Sequence, residues 1–346
     1  MARNVFFTPT IIPSGGRVRP SLESPRGTFV ARVKENRAIC TDHFRLILTV
    51  AGFPVSTPGQ FVQLDCREAG TEEAEQPREW EWVAGSPERP RLMDADYGQP
   101  LAYLRRPFSI ADHRVVGGVA EIDIIHRVVG KGTRSLGHLK AGDELSLLGP
   151  LGVGFRIPDD LEIACLVGGG VGIPPMLYMA KALAGKKDAV GFMGAMRKDL
   201  LPVTIDSAVL PGDGEPHLGV EEFACFGHSA VVTTDDGSLG MKGYVTAALR
   251  IFLEKRRAER GTLKGVVVYC CGPTPMMKAT ARVAEEFGVM CQVSLEQPMA
   301  CGMGTCQSCI IKYRPHGVTE GGAAAEWKYK LTCTDGPVFD SRDIVW

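Results

Sequence analysis

At 346 residues, the chain has room for two or three domains of ~100–200 residues each, which excludes a single hydrophobic core. Its 45% hydrophobic and 23% charged content excludes a collagenous, coiled-coil or wholly disordered chain. Lys+Arg 39 against Asp+Glu 40 leaves a net charge of −1, without the basic excess that nucleic acid or an anionic membrane surface attracts, so neither is expected as a partner. Eleven scattered cysteines and an N-terminus without an apolar signal core predict a reduced, cytoplasmic protein. The uncharged stretch Ile163 to Ala180 holds four glycines and two prolines, which suits strand, turn and helix start better than a membrane span.

In chain order, residues 1–28 carry Pro9, Pro13, Pro20 and Pro25 with Gly15-Gly16, a composition that predicts an extended arm. Residues 29–157 follow as short β-branched runs separated by turn signals: Phe29–Val33, Phe44–Val50, Gln60–Leu64, Phe108–Ala111, Ala120–Arg127 and Glu144–Leu148. Six runs predict a small antiparallel six-stranded barrel. A charged, proline-containing insertion over 67–104 interrupts it; a loop of that length is a solvated excursion or a partner contact. Over 158–290 strands alternate with helices (Pro174–Leu183, Val245 to about Arg260, Pro273–Phe287), the pattern of a parallel α/β domain. Residues 291–346 are short, Gly-rich and hold four cysteines, predicting a small C-terminal domain. The fold class is therefore multidomain, α/β plus β.

The most specific motif is Cys301-x4-Cys306-x2-Cys309 with Cys333 further on. This is the ligand spacing of a plant-type 2Fe-2S cluster. Four soft thiolates must converge on two irons while the loop turns backbone N–H groups toward the sulfides, and Gly302 and Gly304 permit that wrapping. A structural four-cysteine zinc site is the competing reading, but it more often uses two paired knuckles, and only Cys306/Cys309 form one here.

A second set lies in the barrel: Arg105-Arg106-Pro107-Phe108-Ser109, then Ile125-His126-Arg127, then Gly132-Thr133. Arginine offers a planar fork of donors to a pyrophosphate, Ser109 a short hydroxyl, and Gly132-Thr133 a turn whose N–H groups face an anion. The third set is Gly168-Gly169-Gly170-Val171-Gly172-Ile173-Pro174-Pro175, between a buried strand and a helix. It brings backbone close to a phosphate at a helix N-terminus. Ile173 stands where the G-x-G-x-x-G fingerprint needs glycine, so a standard Rossmann dehydrogenase is disfavoured. Cys271-Gly272-Pro273 repeats the strand-to-helix logic. Its thiol is small enough to lie beside a flat ring, or is simply a buried cysteine.

Arg106-Pro-Phe-Ser109, Gly149-Pro-Leu-Gly152, the Gly168–Gly172 turn and Cys271-Gly-Pro273 resemble the flavin- and nicotinamide-binding elements of the ferredoxin reductase superfamily. Ser294-Leu-Glu-Gln-Pro-Met-Ala-Cys301-Gly-Met-Gly-Thr-Cys306-Gln-Ser-Cys309, with Cys333-Thr-Asp-Gly-Pro-Val-Phe339, resembles the electron-transfer subunits of NAD-linked, two-subunit dihydroorotate dehydrogenases. The resemblance implies FAD at Arg106 to Ser109, Ile125 to Arg127, Gly132 and Thr133, and the cluster at Cys301, Cys306, Cys309 and Cys333. It implies NAD(H) at Gly168, Gly169, Gly170, Gly172, Cys271, Gly272 and Pro273, and no catalytic residue of the chain's own for dihydroorotate. It further implies an FMN-containing catalytic partner, assembled with this chain as a heterotetramer, and a role in pyrimidine biosynthesis. The arm, the insertion and the 23 residues between Cys309 and Cys333 are departures from the pattern.

Two other functions fit the same residues: an NAD(P)H-dependent reductase serving an oxygenase or hydrogenase, and a non-catalytic metal-binding assembly module. Asp235 and Asp236 suit a ribose and repel a 2′-phosphate, whereas Arg197 and Lys198 accept one; the resemblance favours NAD. A TIM barrel for dihydroorotate needs ~250 residues that this chain does not have to spare.

Overall fold

The structure is a computed structural model and describes residues 26–66, 80–81, 91–92, 104–206, 212–317, 319–320, 323–324 and 326–346. The expected arm lies outside the described residues up to position 25, and so does most of the 67–104 insertion. Within that insertion, β4 (Trp80–Glu81) and β5 (Arg91–Leu92) pair with each other.

The first sheet contains β1 (Gly27–Cys40), β2 (His43–Val50), β3 (Phe61–Leu64), β6 (Arg106–Ser109), β7 (Asp112–Val116), β8 (Val119–Arg127) and β9 (Glu144–Leu151). It is antiparallel throughout, in the order β6-β3-β9-β1-β2-β8-β7. Seven strands therefore replace the expected six. The addition, β7, reads Asp-His-Arg-Val-Val and lacks the apolar alternation by which a strand is recognised. It is made a strand by its turn: Gly117 and Gly118, at φ +58° and +82°, supply the left-handed pair that folds β8 back onto it. The two ends of the sheet, β6 and β7, are consecutive in sequence. Between them the Ile110 N–H donates to the Gln60 carbonyl (3.2 Å) and the Ala111 N–H to the Asp123 carbonyl (2.8 Å), which rolls the sheet into a barrel-like form. Leu46, Leu48, Ile122, Ile124 and Leu147 fill its interior. A short helix, α1 (Lys131–His138), is tied to the sheet by Asn36, whose amide donates to the Leu136 and Leu139 carbonyls at 2.9 Å.

The second sheet is built from β10 (Ile163–Gly169), β11 (Asp188–Ala195), β12 (Ser229–Thr234), β13 (Met241–Lys242), β14 (Val266–Cys271), β15 (Met290–Ser294) and β20 (Val338–Asp340). The order is β13-β12-β11-β10-β14-β15-β20, parallel except for β20. Helices α2 (Ile173–Leu183), α3 (Glu221–Ala224), α4 (Val245–Arg260) and α5 (Thr274–Glu286) alternate with these strands. The apolar stripe of α4, Val245, Ala248, Leu249 and Leu253, is buried, and Gly261 at φ +69° ends the helix.

The expected boundary at 290/291 falls within β15, and β15 and β20 are both strands of this sheet. The cysteine segment, 296–337, is an excursion that leaves after β15 and returns as β20. It contains an antiparallel pair, β16 (Ile310–Tyr313) with β19 (Lys328–Leu331), and the short pair β17 (Thr319–Glu320) with β18 (Ala323–Ala324).

The two sheets are joined by specific contacts. Tyr178 Oη donates to the Ser56 carbonyl at 2.6 Å, Lys181 pairs with Asp112 at 2.5 Å, and the amide of Gln292 clamps both backbone groups of Arg156 (2.7 and 2.9 Å) in the connecting segment. No helix among the described residues is long and apolar enough to cross a membrane.

Candidate functional site

At the start of β6 two adjacent arginines divide the work. Arg105 is anchored, donating to the Ser146 carbonyl (2.9 Å) and hydroxyl (2.7 Å). Arg106 is exposed, with its guanidinium donating to the Leu104 carbonyl at 3.1 Å, and it remains available to an anion. Alternation along the strand puts Arg106 and Phe108 on one face, Pro107 and Ser109 on the other. His126 on β8 lies beside Phe108 (ring centroids 5.9 Å) and stacks on Phe44 (5.8 Å). It is buried, both ring nitrogens lack a partner, and burial followed by the nearby His43 pushes its pKa down to about 4. A neutral imidazole with unmet nitrogens beside Phe108 fits a ligand with polar edges. The Nε of Arg127 is likewise buried and unpartnered.

Ile125 and Thr133 use their side chains within the protein itself. The Ile125 side chain belongs to the core that the barrel shares with the α/β unit, so it is not free to meet a ligand. The Thr133 hydroxyl is engaged by its own turn, accepting from the N–H groups of Val129 (2.9 Å) and Gly130 (3.2 Å) and donating to the Gly130 carbonyl (3.1 Å). It shapes the start of α1, next to buried Gly132, and leaves anion contact to backbone N–H groups. Flavin retention is expected to depend on Arg106. Hydrogen bonds to charged groups contribute about 1.5–3 kcal/mol, so Arg106→Ala weakens FAD binding roughly ten- to a hundredfold, read as flavin content after dialysis; unchanged content rejects the assignment.

The glycine turn and Cys271-Gly272-Pro273 meet each other. They follow β10 and β14, adjacent strands at which the order reverses: β11 and β12 run to one side, β14 and β15 to the other. Open α/β sheets bind nucleotides at such a switch point, outside the carboxyl ends of the strands. A Cβ on Gly172 would lie 2.2 Å from the Cys271 carbonyl oxygen, and one on Gly169 2.4 Å from the Met276 sulfur. Gly172 is therefore required by the close fit of the two turns, whereas a side chain at Gly169 would have to displace that of Met276. Gly170 is different: at φ +53° with open space around it, it presents bare backbone. Pro174 and Pro175 open α2 and carry no N–H, so free backbone N–H donors at this end come from the 170–173 turn. The Cys271 thiol is pushed up to about 12 by burial, with Ser294 opposing, and stays neutral. Arg197, Lys198, Asp235 and Asp236 sit beyond the same edge, after β11 and β12. Ser238 accepts from the Lys198 N–H at 2.9 Å, tying their two loops together.

The four cysteines, all free thiols, come together as two pairs. Cys306 lies against Cys301, its N–H donating to the Cys301 sulfur at 3.4 Å, as does the Met303 N–H. The Cys306 pKa is drawn down to about 6 by Ser308 and by Cys301. Cys309 and Cys333 are both buried and adjacent, and burial followed by Cys309 pushes Cys333 up to about 12. Among the described residues no three His, Cys, Asp or Glu side chains close on one point as ligands of a single ion. Gly302 and Gly304, at φ +69° and +88°, make the wrap expected of them. The long gap between Cys309 and Cys333 is spanned by the β16–β19 ladder. Ile310 pairs with Leu331, and the Thr332 N–H donates to the Cys309 carbonyl at 3.1 Å.

One relation was not read from the sequence. Cys309 and Cys333 pack on Phe61 of β3 and on Leu148 and Leu151 of β9. β3 in turn pairs with the Arg106–Ser109 strand, Phe61 opposite Ser109 and Gln63 opposite Pro107. Its signal was Gln63 itself, a polar residue in an apolar strand that proves fully buried.

Comparison with known proteins agrees with this arrangement. The family model described as the iron-sulfur cluster binding domain of dihydroorotate dehydrogenase B matches residues 296–345. The electron transfer subunit of dihydroorotate dehydrogenase B (NAD(+)) from Caldanaerobacter subterraneus subsp. tengcongensis is 34% identical over 321 residues, 93% of this chain and 100% of the relative. The subunit of the same name from Geobacillus thermodenitrificans is 36% identical over 258 residues, 72% of this chain and 83% of its own. Among solved structures, the NADH-dependent reduced ferredoxin-NADP oxidoreductase superposes with a TM-score of 0.64 at 29% identity, covering 91% of this chain and 90% of that one. The ferredoxin reductase of carbazole 1,9a-dioxygenase shares the fold, with a TM-score of 0.51 at 20% identity over 78% of this chain and 68% of its own. On a match running the full length of its relative, the chain belongs to the family of electron transfer subunits of NAD-linked dihydroorotate dehydrogenase B.

Proposed function

We propose that this chain passes electrons between NAD+ and a catalytic dihydroorotate dehydrogenase subunit, using FAD and a 2Fe-2S cluster, as part of pyrimidine biosynthesis. One observation supports this above the others: the Cys309–Cys333 pair packs on Phe61 of the barrel strand that hydrogen-bonds to Arg106–Ser109. The barrel, residues 27–157, holds FAD through the Arg106 guanidinium, Phe108, Ser109, the face of His126 with Arg127, and the turn at Gly132. The sheet of residues 158–295 and 338–346 holds nicotinamide at the turns of Gly170 and Gly272. The segment 296–337 holds the cluster on Cys301, Cys306, Cys309 and Cys333. Bound flavin supplies the conversion between a two-electron hydride and single electrons. The chain's own residues do the positioning: the abutting turns fix the nicotinamide end, β6 fixes the flavin, and β3 carries the cluster loop beside it.

The partner is an FMN-containing catalytic subunit in a cytoplasmic heterotetramer. It meets the exposed side of the cluster loop, where Met303 and Ile310 are 52% and 40% exposed. A reductase for another acceptor remains the second reading, because the same fold serves many acceptors. Anaerobic purification tests both cofactor assignments: a yellow flavin band and a brown cluster shoulder, both bleached by NADH, are expected. A colourless protein of full fold rejects the reading.

A further inference from the structure

Gln63 is fully buried, and its Oε1 has no partner. Its Nε2 points at the Ala300 carbonyl at 3.5 Å. A Cβ on Gly302 would stand 2.7 Å from Oε1 and 2.8 Å from Cδ. The residues on either side of Cys301 therefore both lie against one amide. On its own strand Gln63 faces Pro107 across the ladder, and paired residues share a sheet face. The face that presents Ser109 is thus the face that meets the first cysteine of the cluster motif. A buried amide oxygen without a donor is costly, and strand β3 would be filled more simply by another aliphatic side chain here. Its retention between two proposed cofactor sites calls for a role that an apolar residue does not supply.

We propose that Gln63 is a positioning residue that clamps the Ala300–Gly302 backbone and so fixes Cys301, and the cluster it helps to hold, against the flavin strand. The inference rests on the cofactor assignment proposed above. Gly302 completes the device, because any side chain there would lift the loop off the amide.

The test uses the full chain purified with its cofactors. Gln63→Met keeps length and volume but loses the amide. It is expected to keep FAD, iron content and thermal midpoint, while the reduced cluster shows altered g-values and broadened lines in EPR. Iron loss to EDTA should quicken by about three- to tenfold, the range for one lost hydrogen bond. Gly302→Ala, which leaves Gln63 in place, should reproduce both changes. Wild-type EPR and EDTA half-life in both variants overturns the proposal while leaving the cofactor assignment intact. Wild-type protein that binds neither flavin nor iron overturns both together.

Discussion

Replacing Cys309 by alanine is expected to abolish the cluster and leave the flavin in place. Cys309 is buried, adjacent to Cys333 and packed on Phe61, Leu148 and Leu151, so no water-borne ligand reaches its position and no other described thiol is at hand. Four thiolates are needed to hold the two irons; three leave one iron open and the centre labile. The proposed FAD residues lie on β6 and β8 whereas Cys309 packs on β3 and β9, so NADH should still bleach the flavin at the wild-type rate. Iron analysis and the visible spectrum decide it. Parallel loss of flavin and iron would show that the barrel and the cysteine segment do not hold separate cofactors.

The second large effect is expected at Gly172. An alanine Cβ there would sit 2.2 Å from the Cys271 carbonyl oxygen, and neither atom is the end of a flexible chain. The turns after β10 and β14 must separate, at the switch point where nicotinamide is to bind. Overpacking of this kind costs about 1–3 kcal/mol of stability, and a displacement of roughly 1 Å at a reacting site reduces rate about a hundredfold. Stopped-flow reduction of the flavin by NADH should therefore slow about a hundredfold in Gly172→Ala, with FAD content unchanged. An unaffected rate would place nicotinamide elsewhere. Gly170→Ala probes a different property, since it meets strain at φ +53° but no neighbour.

The cysteine spacing and the strand–turn–helix glycines were legible in the sequence because each encodes a local demand. Convergence of thiols on irons and close approach of backbone both need particular residues a few positions apart. The α/β alternation was legible for the same reason, and α4 runs over Val245–Arg260 as its periodicity indicates. What stayed hidden is set by tertiary partners. The strand β7 exists because a Gly-Gly turn returns the chain onto β8, whatever its own residues prefer. Where the cysteine segment leaves and rejoins the sheet depends on β20 pairing with β15, a contact between residues more than forty positions apart in sequence. The Gly132-Thr133 turn was legible for its backbone N–H groups, whereas the use of the Thr133 hydroxyl within its own turn depends on how that turn closes. Gln63 was hidden because one polar residue in an apolar strand carries no direction until the cluster loop is laid over it.

The central claim is that this chain links a dihydroorotate-oxidising partner to NAD+ through residues in three adjoining units. Its most direct test mixes the purified chain with an FMN-bearing dihydroorotate dehydrogenase catalytic subunit and follows NADH formation at 340 nm after dihydroorotate is added. The account predicts dihydroorotate-dependent NAD+ reduction by the pair, none by this chain alone, and none when Cys309→Ala replaces the wild type. A pair that stays inactive, while the chain with NADH rapidly reduces an oxygenase or other acceptor protein, would contradict it.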